Sequence, residues 1–194
     1  MKKITTLMTL ALLAVLSLSF TSCDDDDAIA YTLEGTWRGD MYVSSEWNGR
    51  TYDATYSEIC FLRDPYRYSS GTGYWVDHYS NSGWGRNYVA SHIDWRVYNG
   101  CIEVVFLDEY VDGLNPIIYI EDYRLSDSYF EGTIYDGYNR VDFRLYHVSS
   151  PNWNDYYYGW DTYYYYAKEN NTWTRANKDA EPVAAPKRIF RTNK

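Results

Sequence analysis

Between residues 33 and 150 the chain alternates apolar and polar positions with a period of two, and no stretch beyond residue 22 shows a helical repeat. Trp37, Gly39, Met41 and Val43 share one face of a first strand, with Arg38, Asp40 and Tyr42 on the other. Asn48-Gly49 is a tight-turn signal, and Tyr52 to Leu62 forms a second strand that Arg63-Asp64-Pro65 breaks. Tyr66 to Tyr79 follows as a strand or an interrupted pair, with Gly71 and Gly73 suggesting a bulge or sharp bend. Residues 81 to 87 form a loop carrying Trp84.

The clearest element is the hairpin from Val89 to Leu107, turning at Asn99-Gly100. A two-residue turn pairs Val97 with Ile102, Trp95 with Val104 and Ile93 with Phe106 on one apolar face. It also sets Arg96 opposite Glu103 on the other face. Further strands run over 117–125, 129–135 and 140–148, with Phe130, Gly132 and Ile134 facing Val141, Phe143 and Leu145. The fold class is therefore all-β, an antiparallel up-and-down meander of about eight strands. Closing it into a barrel hides the edges; a β-sandwich is the alternative.

Ahead of this pattern lies a different one. Lys2 and Lys3 precede an apolar stretch over 7–20, then Thr21, Ser22 and Cys23, then Asp24, Asp25, Asp26 and Asp27. Charge, a short apolar core and small residues make a secretory signal, too short for a membrane span. The cysteine after the small residues resembles a bacterial lipoprotein signal, and the aspartates resemble the acidic export tag of Bacteroidota surface lipoproteins. That resemblance implies a signal peptide over 1–22 and Cys23 as the lipidated residue, acylated by palmitate-like chains. It implies an acidic tether over 23–32 and anchorage in the outer membrane, facing the cell exterior. Several acyl chains hold firmly, at ~0.8 kcal/mol per buried methylene.

Charge narrows the partners. The formal net charge of −9 becomes −11 once Lys2 and Lys3 are removed, which argues against nucleic acid. With 24 tyrosines and 8 tryptophans, the composition is not that of a disordered chain. Cys60 and Cys101 remain after Cys23 is used, as a disulfide or as buried free thiols.

Gly35-Thr36-Trp37 opening the first strand, followed by a meander, resembles the lipocalin and fatty-acid-binding superfamily. Tyr123-Arg124-Leu125 and Phe130-Glu131-Gly132-Thr133-Ile134 are similar to the closing hairpins of lipocalin-like domains in Bacteroidota lipoproteins. The resemblance spans about 33–148, within a domain expected over 33–150. It implies a tryptophan plugging one barrel end beneath an arginine, Arg140 or Arg144. It also implies an interior cavity for a small apolar or amphipathic ligand, lined by Trp95, Val104, Phe106, Phe130 and Phe143. Glu121, placed inward opposite Gly132 by the hairpin phase, would anchor the ligand's polar group.

Residues 151–167 are rich in rings with interspersed Asn and Asp, so Trp153, Trp160 and Tyr163 offer stacking faces for a glycan. The same stretch can instead be a terminal strand or flap that packs its rings on the barrel. Residues 168–194 are expected to be a disordered tail with a basic, solvated end.

Catalytic signals are sparse. His78, His92 and His147 fall on separate strands, and His92 faces outward opposite Leu107, so a metal site is not expected. Adjacent carboxylates such as Glu121 and Asp122 point to opposite faces, unlike a glycosidase pair. The expectation is a non-enzymatic, cofactor-free, membrane-anchored barrel holding a small amphipathic molecule. The alternative is a glycan- or protein-recognition module, with an uncharacterised hydrolase third.

Overall fold

The structure is a computed structural model and describes residues 21–111, 113–160 and 185–191. Eight strands close into an antiparallel barrel: β1 (Gly35–Asp40), β4 (Tyr56–Arg63), β5 (Ser70–His78), β6 (Tyr88–Tyr98), β7 (Cys101–Phe106), β8 (Ile117–Ser126), β9 (Tyr129–Tyr135) and β10 (Arg140–Val148). Barrel strands that follow one another in sequence are neighbours, and β1 closes the ring between β4 and β10. The choice between barrel and sandwich is thus settled as a barrel, which leaves no unpaired edge.

The β6–β7 register is the expected one. Val97 pairs with Ile102, Trp95 with Val104 and Ile93 with Phe106, while Arg96 Nη2 meets Glu103 at 2.9 Å on the outer face. Asn99 and Gly100 both take the positive φ that the tight turn demands. The β9–β10 pairing also holds, with Ile134 opposite Val141, Gly132 opposite Phe143 and Phe130 opposite Leu145.

Several expectations are corrected. Asn48-Gly49 does make a tight turn, but the hairpin it joins, β2 (Val43–Trp47) and β3 (Arg50–Asp53), leaves the barrel. With β11 (Lys187–Phe190) this hairpin forms a separate three-stranded sheet in the order β11-β2-β3. The departure occurs at Tyr42, whose positive φ of 50° ends the β1 direction. Residues 168–194 are therefore not all an unstructured tail: Arg188 and Phe190 are given partners that an isolated basic segment lacks.

Gly71 and Gly73 do not bulge, for β4, β5 and β6 pair without a register shift there. A Cβ at either glycine would collide with a carbonyl oxygen of β4, so they permit close strand approach instead. The bulge lies between Glu121 and Arg124 in β8, where Asp122 adopts a φ of 48°. Cys60 and Cys101 are both free. They sit on β4 and β7 with two strands between, roughly 14 Å at the usual strand spacing, beyond disulfide reach.

The tether expected before the barrel is a helix, α1 (Thr21–Leu33). Asp26, Ala30 and Leu33 are buried on one face, with Ile29 packed beside them, a spacing of i, i+3, i+4 and i+7. That stripe closes the barrel end occupied by Trp37, which is fully buried and donates its Nε1–H to the Leu33 carbonyl at 2.8 Å. The rings set edge-on against Trp37 are His147 at 5.0 Å and Phe130 at 5.7 Å, rather than an arginine. Arg140 and Arg144 point outward and pair with Glu121 and Glu131.

Candidate functional site

Four regions can hold something: the interior, its two ends, and the outer wall. The interior is occupied by side chains. Trp95, Val104, Phe106, Phe130 and Phe143 do point inward as expected, but each is at most 3% exposed and belongs to one continuous core. Phe61 meets Trp95 edge-on at 5.6 Å, Trp75 meets Phe106 at 5.1 Å, and Phe130 meets Phe143 at 4.9 Å. Glu121 does not join them. The β8 bulge inserts one residue, which reverses the phase before it, and Glu121 faces outward to bind Arg140 Nη2 at 2.9 Å. Its partner across the sheet is Thr133 rather than Gly132.

The barrel end opposite α1 carries a buried charge. The Arg188 side chain on β11 is 3% exposed, and its Nε donates to Asp77 Oδ2 at 2.7 Å while Nη1 donates to Glu109 Oε1. The guanidinium lies 4.3 Å from the Phe106 ring centre and 5.7 Å from that of Trp75. Burial alone would depress its pKa, but Asp77 and Glu109 outweigh it and raise the value above the ordinary one. Burial holds the Glu109 carboxyl above its usual range despite Arg188. Asp77 also accepts from Ser57 Oγ at 2.5 Å and Trp75 Nε1 at 2.9 Å.

On the outer wall, residues 151–160 cross β4, β5 and β6 as a strap. A 3-10 turn over Trp153–Asp155 starts it, capped by the Asn152 side chain. Trp153 stacks on Tyr74 at 5.1 Å, Tyr158 lies 4.1 Å from His92, and Tyr156 packs edge-on against His78 and Tyr88. Beneath the strap, Glu58 is almost fully buried and accepts from Arg38 Nε at 2.9 Å and from Tyr156 OH at 3.3 Å, with His78 Nε2 at 2.9 Å. Burial raises the Glu58 pKa, but the His78 and Arg38 hydrogen bonds more than reverse this and leave it low. Burial beside that carboxylate pushes the Tyr156 hydroxyl up to about 12. His92 Nδ1 lies 2.7 Å from Asp108 Oδ2, a pair the sequence reading missed because Asp108 follows the strand in a loop.

The expected glycan-stacking rings therefore divide. Trp153 is half-buried in the strap, Trp160 is half-buried with Arg86 over its ring at 5.4 Å, and Tyr163 lies outside the described residues. The Trp153 ring packs on Tyr74 of the wall and the Trp160 ring lies under Arg86 of the loop before β6, so neither stands free.

An open feature of the wall lies elsewhere. A groove of about 710 Å³ runs over the outer side of β5, β6 and β7 and beneath the β4–β5 turn. Leu62, Thr72, Asp94, Arg96 and Val105 line it. Tyr66 also lines it and is 90% exposed, on a turn fixed by Asp64 Oδ1 accepting the Tyr66 amide at 2.8 Å. Arg63 stands beside it, tied to Glu34 at 3.1 Å and lying over the Tyr31 ring at 5.4 Å. Among the described residues, neither the Asp94 carboxylate nor the Arg67 guanidinium has an ion-pair partner. The groove thus presents a ring, free charges of both signs and a small apolar floor. Its residues gave no periodic signal, since a turn and outward strand positions form it.

No protein-family model, curated protein or solved structure matches this chain.

Proposed function

We propose that this chain is a lipid-anchored envelope barrel that recognises a glycan on its outer wall and acts by contact, without catalysis. The observation that carries this reading is the open groove of about 710 Å³ under Tyr66, set against an interior packed with side chains. A ring face suits the apolar C–H patches of a sugar, and unpaired Asp94 and Arg67 can accept from and donate to its hydroxyls. The anchor is Cys23, carried by the lipoprotein-like signal before it. Cys23 lies in the first turn of α1, three residues before Asp26, about 4.5 Å along a helix axis. Acyl chains there would hold the α1 end close to the outer membrane, with the groove at that same end.

A glycan array probed with the mature chain, followed by calorimetry on the best hit, tests the reading. Tyr66→Ala and Asp94→Ala are each expected to weaken binding about tenfold, or ~1.4 kcal/mol. Glycan binding that ignores both changes, or none at all, would contradict it.

A further inference from the structure

We infer that the barrel end opposite α1 is a recognition slot for an extended peptide segment carrying an arginine and, two residues later, an aromatic residue, and that residues 187–190 occupy this slot in cis. Three observations converge. First, β11 is a four-residue strand whose main chain, among the described residues, pairs with β2 alone, Arg188 standing opposite Ser45 and Phe190 opposite Val43. It completes a sheet by adding to an exposed edge, as bound peptides do.

Second, alternate side chains of β11 enter the barrel. Arg188 meets Asp77, Glu109 and the Phe106 ring, while Phe190 is 5% exposed and packs edge-on against Trp75 at 6.1 Å. The slot is thus an acidic hole beside an aromatic one, spaced by the strand's period of two. Asp77 is fully buried and Glu109 largely so, and neither meets any cation except Arg188 among the described residues, so an empty slot would leave both carboxylates without an ion-pair partner.

Third, the fit of Arg188 is incomplete. Its Nη2 is buried and finds no hydrogen-bond partner among the described residues. A buried donor left unmade is costly, so a segment that also satisfies this position competes with the chain's own strand. The 24 residues between Trp160 and Ala185 separate β11 in sequence from the rest of the described fold.

The test uses the mature chain and a fluorescent peptide of residues 185–191, read by anisotropy. The Arg188→Ala/Phe190→Ala variant, with its own strand weakened, is expected to bind the peptide at least tenfold tighter than the wild type. A peptide with its arginine at position 188 replaced by alanine is expected to lose at least tenfold. Equal binding to variant and wild type, or equal binding of both peptides, would overturn the proposal. Uptake of an apolar fluorophore by the variant without peptide binding would also overturn it. Should the variant not fold, hydrogen exchange on the wild type decides. Amides of β11 exchanging at least tenfold faster than those of β6 would support an occupant that leaves the slot, and equal protection would refute it.

Discussion

Asp26 holds Gly100 from 74 residues away: the Gly100 amide donates to Asp26 Oδ1 at 2.8 Å, and the Asn99 amide donates to Oδ2 at 2.9 Å. One carboxylate of the acidic run thereby clamps the β6–β7 turn to α1. Tyr123 OH holds the same turn from the other side through the Gly100 carbonyl at 2.8 Å. Asp26→Ala removes two hydrogen bonds to a charged group and is expected to cost about 1–3 kcal/mol. Asp25→Ala, at an exposed position, should change stability by less than ~0.5 kcal/mol. Urea denaturation measures both. Equal, negligible effects would mean that none of the run serves the fold.

The helix shows what the sequence concealed and why. Its stripe is Asp26, Ile29, Ala30 and Leu33. The first position is an aspartate whose partners are main-chain amides distant in sequence, so hydrophobic periodicity could not register it. The barrel was legible because strand phase and turn chemistry agree, most clearly around Asn99 and Gly100. Glu121 was misplaced because a single inserted residue reverses strand phase, and nothing in Glu121-Asp122 announces a bulge. Arg188 was misread because Arg-Ile-Phe is too short an alternation to distinguish from a basic tail. The groove could not be read at all, since Tyr66 and Asp94 come together only when β5 and β6 pair and the turn folds over them.

The filled interior has a measurable consequence. Trp95→Ala or Phe130→Ala is expected to cost about 3–5 kcal/mol, because each removes a ring from a packed core and leaves a void. Chemical denaturation reads the loss. A change below about 1 kcal/mol would mean that these side chains border empty space.

Glu58 sets an acid limit. Its folded pKa lies below the ordinary value of 4.5, so its contribution is complete above that value. It is lost as the pH falls through the lower folded value. Glu58→Gln should lower stability at pH 7 by roughly 1–3 kcal/mol and flatten the decline on the acid side of 4.5. An unchanged acid profile would remove Glu58 from that role.

Glu121, by contrast, is expected to matter little. It sits at the surface with Arg140, and exposed pairs contribute about 0–1 kcal/mol. Glu121→Gln should stay within that range in a melting experiment. A loss above ~2 kcal/mol would place the carboxylate in a buried environment.

The central claim is that recognition takes place on the wall and not inside the barrel. Methyl-labelled mature chain titrated with its best array glycan tests it most directly by nuclear magnetic resonance. Shifts are predicted at Leu62 and Val105, which line the groove, with Val97, Val104 and Ile120 of the core unmoved. Shifts confined to those core methyls, with Leu62 and Val105 silent, would contradict it.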